Sequence, residues 1–461
     1  MIPEERIHQL NDKPIDPAGV YVLYWMQASQ RTRYNHALEY AVGQANDLGQ
    51  SLLVCFGLMD DYPEANLRHY HFMVQGLADV ETSLKRRDIK LVVKHGHPAE
   101  VALHYGKRAS VIVVDQSYTR WPRRWYEKVA DEAKVRLVQV ESEIVVPVES
   151  ASVKQEHAAR TIRPRIQRQW DKFIAPVEHG KVNKSSLPLH ETGDVDLSDA
   201  ARACAKLKLD TSVPASPMFN GGETEAQKLF DAFLEARLNG YATERNEVSE
   251  NKHSFMSMYL HFGHISPVEL AVRVRETKQG KPDDRDNYLE ELIIRRELSK
   301  NFTWYCPHYD SYENIPGWAK KTLAEHRNDE RPHTYTREQL VNAETHDDYW
   351  NAACRQQVVT GFMHNYMRMY WGKKVLEWHD DPAEAYATLL WLNNRFFIDG
   401  RDPNSYGNVA WVFGQHDRAW TERSIFGKVR YMNSAGLERK FKIGKYVQQV
   451  DEMARELGAL G

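Results

Sequence analysis

The first third of the chain alternates short apolar runs with amphipathic stretches. The apolar runs have the length and the Val, Ile and Leu content of buried β-strands; they cover residues 20–24, 51–56, 89–93, 111–114 and 135–140. Helix-period stretches lie between them, for example at 34–46 and 69–85. Strands that alternate with helices predict a mostly parallel sheet covered on both faces. We therefore predict a Rossmann-like α/β domain over residues 1–176.

The pattern changes twice after this region. Residues 177–222 are rich in Pro, Ser, Lys and Asp, which is typical of a connection between domains. From Glu223 onward apolar residues recur at helical spacing, as in Ala226, Phe230 and Phe233. These features predict an interdomain linker over 177–222 and an all-helical domain over 223–461.

Composition narrows the class of protein. Hydrophobic residues make up 42% of the chain and the formal net charge is -3, so a wholly basic nucleic-acid binder is excluded while a local basic face is allowed. No apolar run is long enough to span a membrane, and the N-terminus lacks the apolar core of a signal peptide. The four cysteines have no Cys-x-x-Cys spacing, which predicts reduced thiols and no metal site. We expect a cytoplasmic protein.

Tryptophan is unusually concentrated in the last third of the chain, although the chain has only 12 in total. Large helical proteins also use aromatic residues as core filler, so composition alone does not assign a function. The crowded tryptophans are Trp350, Trp371, Trp378, Trp391, Trp411 and Trp420.

Two charged residues of the helical half lie in apolar surroundings. Arg368 falls within Met-Arg-Met-Tyr-Trp, and Asp399 follows Phe-Phe-Ile. A buried guanidinium needs a carboxylate or an anionic ligand, so we predict that these two residues pair. The pair fits a structural ion pair as well as a pair placed beside a flavin ring to set its electronics.

Further stretches combine polar and aromatic residues in ways that packing does not require. Ser254 and Ser257 stand at the start of a predicted helix, where hydroxyl and backbone N–H groups suit a phosphate or cap the helix. Residues 407–420 join glycines, aromatic residues and His-Asp-Arg, which suggests a pocket wall. Gln27 and Arg31 follow the first strand, at the edge where α/β sheets bind ligands, although a structural loop fits equally.

These stretches resemble the class II cyclobutane pyrimidine dimer (CPD) photolyases of the photolyase and cryptochrome family. The matching blocks run in the order of that family from Gly19 to about Phe441. They include Trp-Met-Gln-x-x-x-Arg, Tyr-Leu-His-Phe-Gly-x-Ile-Ser-Pro, Glu-Glu-Leu-Ile-Ile-Arg-Arg-Glu-Leu, Trp-Asn-Ala-Ala, Met-His-x-Tyr-Met-Arg-Met-Tyr-Trp, Asp-Gly-Arg-Asp-Pro-Asn and His-Asp-Arg-x-Trp.

The resemblance implies an α/β domain followed by a helical domain that binds FAD. On this basis Asn393 is expected near flavin N5, with Asn404 as the alternative. A second antenna chromophore of the deazaflavin type is an open expectation, because no residue demands one. The resemblance assigns to the FAD site Tyr241, Arg245, Ser254, Ser257, Asn365, Arg368, Asp399 and Asn404.

The implied activity is light-dependent repair of pyrimidine dimers in DNA, by electron transfer from excited reduced FAD to the lesion. Photolyases are a known example of enzymes that flip their target out of the duplex. Trp411 and Met369 suit the apolar wall of a lesion pocket, and Glu291 suits its polar edge. Glu291 would need a proton to donate to a thymine carbonyl; the alternative is a surface pair with Arg295 at i+4.

Three tryptophans match those that carry electrons in this family: Trp350, Trp371 and Trp378. Trp371 and Trp378 are seven residues apart, which places them on one helix face about 10 Å apart along the axis. That spacing allows electron hopping, and it is equally the spacing of a core stripe.

Contact with DNA requires cations near phosphates, and residues 428–445 form the most basic tract of the helical half. A solvated charged loop would look the same. The predicted DNA-binding residues are Glu291, Arg295, Met369, Trp411, Lys428, Arg430, Arg439 and Lys440. The arginines at 160–168 are expected to have structural or antenna-side roles.

The expected partner is DNA that contains pyrimidine dimers, bound near the nucleoid by a monomer without an obligate protein partner. A cryptochrome-type photoreceptor with FAD and no repair is the main alternative. A (6-4) photolyase fits the helical half less well, and a light-independent nucleotide-binding protein leaves the tryptophan cluster unexplained.

Overall fold

The computed structural model describes residues 2–458, and within them one sheet lies in the first third of the chain. Its strands are β1 (Ile7–Gln9), β2 (Tyr21–Trp25), β3 (Ser51–Leu58), β4 (Lys90–His95), β5 (Ala109–Asp115) and β6 (Arg136–Val140). They stand in the order β1-β6-β5-β2-β3-β4. Every neighbouring pair is parallel except β1 with β6. The predicted α/β fold is confirmed.

The remainder of the described chain is mainly helical. The α-helices are α1 (His36–Asp47), α2 (Leu67–Lys85), α3 (Pro98–Gly106), α4 (Arg120–Glu132), α5 (Val148–Ala151), α6 (Ala159–Gln167), α7 (Trp170–Phe173), α8 (Ala200–Cys204), α9 (Glu223–Ala236), α10 (Tyr241–Glu244), α11 (Met256–His261), α12 (Pro267–Glu276), α13 (Pro282–Leu289), α14 (Arg296–Tyr305), α15 (Gly317–Glu325), α16 (Arg337–Val341), α17 (Asp348–Thr360), α18 (Asn365–Glu377), α19 (Pro382–Phe396), α20 (Pro403–Val412), α21 (Ser434–Lys440) and α22 (Ile443–Glu456). A π-helical turn (Glu290–Arg295) joins α13 to α14.

Burial explains why the strands read as continuous apolar runs. All residues of β2, β3 and β5 are buried, because helices cover both faces of a parallel sheet. The helix α1 begins at Asn35, whose side chain accepts a hydrogen bond from the Leu38 backbone N–H and so caps the first turn. The predicted strands and helices agree with the observed ones to within a few residues. The three-residue edge strand β1 was not predicted.

Buried polar contacts join the sheet region to the helical region. Arg68 of α2 is 1% exposed, and its guanidinium donates to the carbonyls of Gln357 (3.2 Å), Val358 (2.6 Å) and Phe396 (2.8 Å). Such carbonyl acceptors satisfy a cation that burial would otherwise destabilise. The two regions therefore share a polar, hydrogen-bonded boundary.

Residues 177–222 run along the sheet region and contain α8. Leu197 and Cys204 are buried within the same apolar core as β2 and β3. The proposed boundaries at 176 and 222 stay a prediction. Within residues 2–458, no helix is both long and apolar enough to cross a bilayer.

Candidate functional site

Three buried tryptophans form a continuous contact chain. The rings of Trp350 and Trp371 stack with centroids 6.4 Å apart and planes 15° apart. Trp378 also contacts Trp350, edge to face, with centroids 5.2 Å apart. Trp350 comes from α17 and lies between two residues of the α18 segment, and its indole N–H donates to the Trp371 carbonyl (3.0 Å). The order along the chain of rings is therefore Trp378, Trp350, Trp371.

The Trp371 end of this chain meets the predicted ion pair. Trp371 contacts Phe397 edge to face, with centroids 6.0 Å apart. The Arg368 guanidinium lies 3.8 Å from the same Phe397 ring and makes two hydrogen bonds of 3.1 Å to Asp399. The structure thus brings Arg368, Asp399 and Trp371 together around one phenyl ring.

A second ion pair is held by the π-helical turn. Arg245 Nη2 lies 3.0 Å from Glu291 Oε1, and both side chains are partly exposed. Arg295 instead pairs with Glu290, at 3.1 Å, so the alternative i+4 pair of Glu291 with Arg295 does not form. The wider π-turn accounts for this change of partner, and π-turns are frequent at functional sites. Because Glu291 already faces a cation, a hydrogen bond from this site to a carbonyl needs a protonated Glu291 or Arg245 as the donor.

Tyr241 and the two serines lie on neighbouring segments. Tyr241 contacts Phe233 and Tyr288 edge to face, and burial raises its pKa to about 12. Ser254 precedes Phe255, which adopts a left-handed backbone with φ 61°, an uncommon conformation for a bulky residue. Ser257 is exposed on α11. Local hydrogen bonding does not require Ser257, so it is available to a ligand.

The remaining predicted FAD residues differ in burial. Asn393 of α19 is buried and its amide donates to the side chain of Asn394 (3.2 Å). Asn404, in the first turn of α20, is half-buried, and Asn365 is exposed at the start of α18. The choice between Asn393 and Asn404 as the residue near flavin N5 stays open.

An exposed aromatic and cationic surface lies next to α18, whose Lys373 is 5.2 Å from the Trp411 ring. The Arg430 guanidinium lies between two indoles, 5.2 Å from Trp411 and 4.2 Å from Trp420, and pairs with Asp417 at 2.9 Å. Trp411 is half-buried and Trp420 is 38% exposed. We call Trp411, Asp417, Trp420 and Arg430 the surface cluster. It combines flat rings with a cation, as nucleic-acid sites do.

Lys373 beneath the surface cluster was not predicted from the sequence. It is fully buried, donates to the Val412 carbonyl and lies 5.2 Å from the Trp411 ring. Burial lowers the pKa of Lys373 to about 7, partly offset by Asp417. In the sequence it stands next to a second lysine, Lys374, and two adjacent lysines give no local sign of burial.

The other predicted DNA-binding residues are spread over the neighbouring surface. Lys428, Arg439 and Lys440 are exposed, and Lys440 donates to the Tyr366 hydroxyl (3.0 Å). Arg295 is 54% exposed in its side chain, and Met369 is half-buried on α18. These positions are open to a partner.

A cavity opens at the carboxyl edge of the sheet. It encloses about 1020 Å³ including the open solvent at its mouth, and its aromatic wall includes Tyr62, Trp125 and Tyr126. Gln27 also lines it, whereas Arg31 is buried in an ion pair with Glu143. Of the two residues predicted at this edge, one therefore faces the cavity and the other is structural. Among the described residues, no cluster of His, Cys, Asp and Glu could hold a metal ion.

Comparison with known proteins agrees with this architecture. A sequence profile of the DNA photolyase family matches residues 22–181. A deoxyribodipyrimidine photo-lyase from Methanothermobacter thermautotrophicus is 48% identical over 451 residues, which cover 98% of this chain and 99% of that protein. One from Oryza sativa subsp. japonica is 38% identical over 97% of this chain and 90% of that protein.

A solved structure gives the same class of fold. The bacterial class III photolyase from Agrobacterium tumefaciens superposes with a TM-score of 0.73 at 16% identity, over 95% of this chain and 87% of that one. The fold is thus the one that photolyases and cryptochromes share. With full-length relatives at 48% and 38% identity, the chain belongs to the DNA photolyase family.

Proposed function

We propose that this chain is a class II deoxyribodipyrimidine photo-lyase that repairs cyclobutane pyrimidine dimers in DNA under blue light. The observation that carries the proposal is the chain of contacts Trp378, Trp350, Trp371, which ends beside Arg368 and Asp399. A chain of buried indoles that ends beside a charged pair suits electron supply to a redox cofactor. Family membership makes FAD the expected cofactor.

Buried polar groups near Trp371 and Arg368 fit a flavin. The Trp371 indole Nε1 and the Nε2 atoms of His253 and His364 are buried without a hydrogen-bond partner in the described chain, although such groups are normally paired. Arg368 adds a cation beside them. Bound FAD would supply the photochemistry, because its reduced form, once excited by light, can donate an electron that splits the cyclobutane ring and then returns. We assign its binding to Tyr241, Arg245, Ser254, Ser257, Asn365, Arg368, Asp399 and Asn404, and place Asn393 near N5.

The protein has to hold the flipped lesion and exclude water from it. In this proposal Trp411 stacks on a pyrimidine ring and Met369 closes the apolar wall. Glu291 and Arg245 supply the polar edge, and their ion pair fixes both side chains in advance. Arg430, held by Asp417 between two indoles, presents a cation to the adjacent phosphates.

The sheet-edge cavity is the place we propose for a second, deazaflavin-type chromophore. Its aromatic wall can stack on a planar ring system, and its position matches the ligand-binding edge of open α/β sheets. Purified protein that carries only flavin, and gains no energy transfer from an added deazaflavin, would contradict this assignment.

The central experiment uses purified chain, its visible spectrum and blue light. Duplex DNA carrying a CPD and matched duplex carrying a (6-4) lesion are illuminated, and restored bases are measured. We expect flavin absorbance and repair of the CPD alone. Protein without flavin would overturn the proposal. Bound flavin without repair of either lesion would favour the cryptochrome-type photoreceptor, and repair of the (6-4) lesion would reject the class II assignment.

We also propose that the chain acts in the cytoplasm on nucleoid DNA, as a monomer without an obligate protein partner. Light scattering of the purified chain at several concentrations would test the monomer. A stable dimer would contradict it.

A further inference from the structure

The helix α6 of the sheet region carries a row of exposed cations. Residues 154–172 contain six Lys and Arg against two acids, although the whole chain has a net charge of -3. Arg160 and its helix neighbour Pro164 are exposed, as is Arg168, the C-cap of α6. Because they are spaced four residues apart, these three lie on one helix face, and about 12 Å separate Arg160 from Arg168 along the axis.

The acids near this row are already neutralised by other arginines. Glu156 pairs with Arg165 (3.0 Å), and Glu290 pairs with both Arg163 (2.6 Å) and Arg295 (3.1 Å). Among residues 2–458, Arg160 and Arg168 form no ion pair. Their charge is therefore available to an outside anion, unlike that of a solvated face with alternating signs.

The row lies beside the candidate lesion site. Arg163 of α6 makes hydrogen bonds of 3.1 and 2.6 Å to Glu290, the neighbour of Glu291 in the π-helical turn. The segment before α6 also contacts a residue next to the surface cluster, because the His157 carbonyl is 2.8 Å from Nδ1 of His416, the chain neighbour of Asp417. Contacts on two sides thus tie this part of the sheet region to the substrate side of the helical region.

We propose that α6 binds the phosphodiester backbone of the duplex beside the lesion, through Arg160 and Arg168. This inference rests on the proposed function, and it extends the DNA interface from the helical region onto the sheet region. Two cations on one helix face read no bases, so the contact is independent of sequence and of damage. It differs from the structural or antenna-side role that the family resemblance implies for these arginines, and that role stays untested.

The test measures how DNA binding depends on salt. The double variant Arg160→Gln with Arg168→Gln is compared with the wild-type holoenzyme by fluorescence anisotropy, on duplex with and without a CPD. Each phosphate contact adds roughly 0.9 to the slope of log affinity against log salt, so two lost contacts reduce the slope by about 1.8. Between about 50 and 200 mM salt the variant then loses about tenfold less affinity than the wild type. We expect the same change on both duplexes.

Matched variants distinguish the contact through Arg160 and Arg168 from the effect of removing any two positive charges. Arg160→Lys with Arg168→Lys restores the salt slope, because lysine also binds phosphate. Arg86→Gln with Lys107→Gln removes two exposed cations at the ends of α2 and α3, and leaves the slope unchanged. Equal flavin content and equal melting temperature show that each variant is folded.

The outcomes distinguish the two proposals. An unchanged slope in the double Gln variant, or an equal fall in the Arg86 and Lys107 control, overturns the role of α6 while wild-type repair remains. Wild-type holoenzyme that neither repairs nor prefers CPD-containing DNA overturns the proposed function itself. Repair at saturating DNA should be equal in wild type and variant, since neither arginine lies at the reacting atoms.

Discussion

Two groups of tryptophan stand within the helical region, and they differ in their surroundings more than in their composition. Trp350, Trp371 and Trp378 are 0–2% exposed, and Trp350 contacts the other two. In the surface cluster, Trp411 and Trp420 contact Arg430 and the solvent. Each group also has a lysine nearby. Lys374 lies 5.9 Å from the Trp378 ring, and Lys373 lies 5.2 Å from the Trp411 ring.

The difference teaches that burial and neighbours, not the indole itself, set the chemistry available. Near Trp378 the ammonium of Lys374 faces two carboxylates, Asp347 (3.8 Å) and Glu377 (3.0 Å), so this group brings no excess of positive charge to the buried chain. Surroundings without excess positive charge suit an indole that gives up an electron. The open faces of the surface cluster suit stacking against bases, and its cations suit phosphates.

The largest expected effect is on the buried chain. Trp371→Phe should abolish photoreduction of bound flavin, because Trp371 is the only one of the three indoles that contacts Phe397 in the described structure. Chemically reduced enzyme should still repair DNA. Transient absorption and a repair assay measure the two properties separately.

The half-buried Trp391 provides the matched control for this change. It contacts Phe396 and two arginines, and lies outside the three-ring contact chain. Trp391→Phe should leave photoreduction intact. If photoreduction survives Trp371→Phe, or is lost in both variants, the proposed path through Trp371 is wrong.

The next effect falls on the surface cluster. Trp411→Ala should weaken binding of CPD-containing duplex by about 5- to 150-fold, since stacking on one base contributes about 1–3 kcal/mol. Binding of undamaged duplex should change little. Trp411→Phe keeps a flat ring and should recover most of the affinity. An equal loss on damaged and undamaged duplex would show that Trp411 does not contact the lesion.

Sequence reasoning reached the sheet and the Arg368–Asp399 pair for a common reason. Both depend on local surroundings, because apolar runs of strand length are buried and a charge among apolar residues needs a partner. The spacing of Trp371 and Trp378 correctly placed them on one helical segment. It did not place Trp350 between them, since that contact depends on how α17 packs against α18.

Other features were missed because the sequence contains no local sign of them. The π-helical turn pairs Arg295 with Glu290, and not with Glu291, the partner that the alternative interpretation gave it. Lys373 is buried beside an equally charged neighbour, Lys374. The contact of α6 with the helical region joins residues more than a hundred positions apart, so only the folded structure shows it.

A smaller effect concerns Lys373, whose pKa makes the stability of the protein depend on pH. Its pKa is about 7 when folded and 10.5 ordinarily. Between these values the unfolded chain holds a proton that the folded chain lacks, so stability rises with pH through this window and is lowest below it. One such group contributes a slope of up to about 1.4 kcal/mol per pH unit. Burial also lowers the pKa of Lys300 to about 7, and that residue acts in the same direction.

The measurement is the free energy of unfolding between about pH 7.5 and 9.5. In this range one such group raises that free energy by up to about 1.4 kcal/mol per pH unit. Lys373→Met should remove one group's share of the rise. Lys428→Met, at an exposed position of the neighbouring surface, should leave the rise unchanged. An unchanged slope in the Lys373 variant would mean that the ammonium remains charged beneath Trp411, and the surface cluster would then have a buried cation beneath it in addition to Arg430.

The smallest effect tests where the surface cluster ends. Trp420 is 38% exposed and contacts Arg430 at 4.2 Å, so its role in our proposal is to hold that guanidinium, together with Asp417. An exposed cation–π contact contributes about 0.5–1 kcal/mol, so Trp420→Leu should weaken DNA binding only about two- to fivefold, equally on damaged and undamaged duplex. A loss as large as that of Trp411→Ala, and confined to damaged duplex, would place Trp420 against the lesion as well. The assignment of base stacking to Trp411 and of cation support to Trp420 would then be wrong. The contrast between the surface cluster and the buried chain of Trp350, Trp371 and Trp378 would remain.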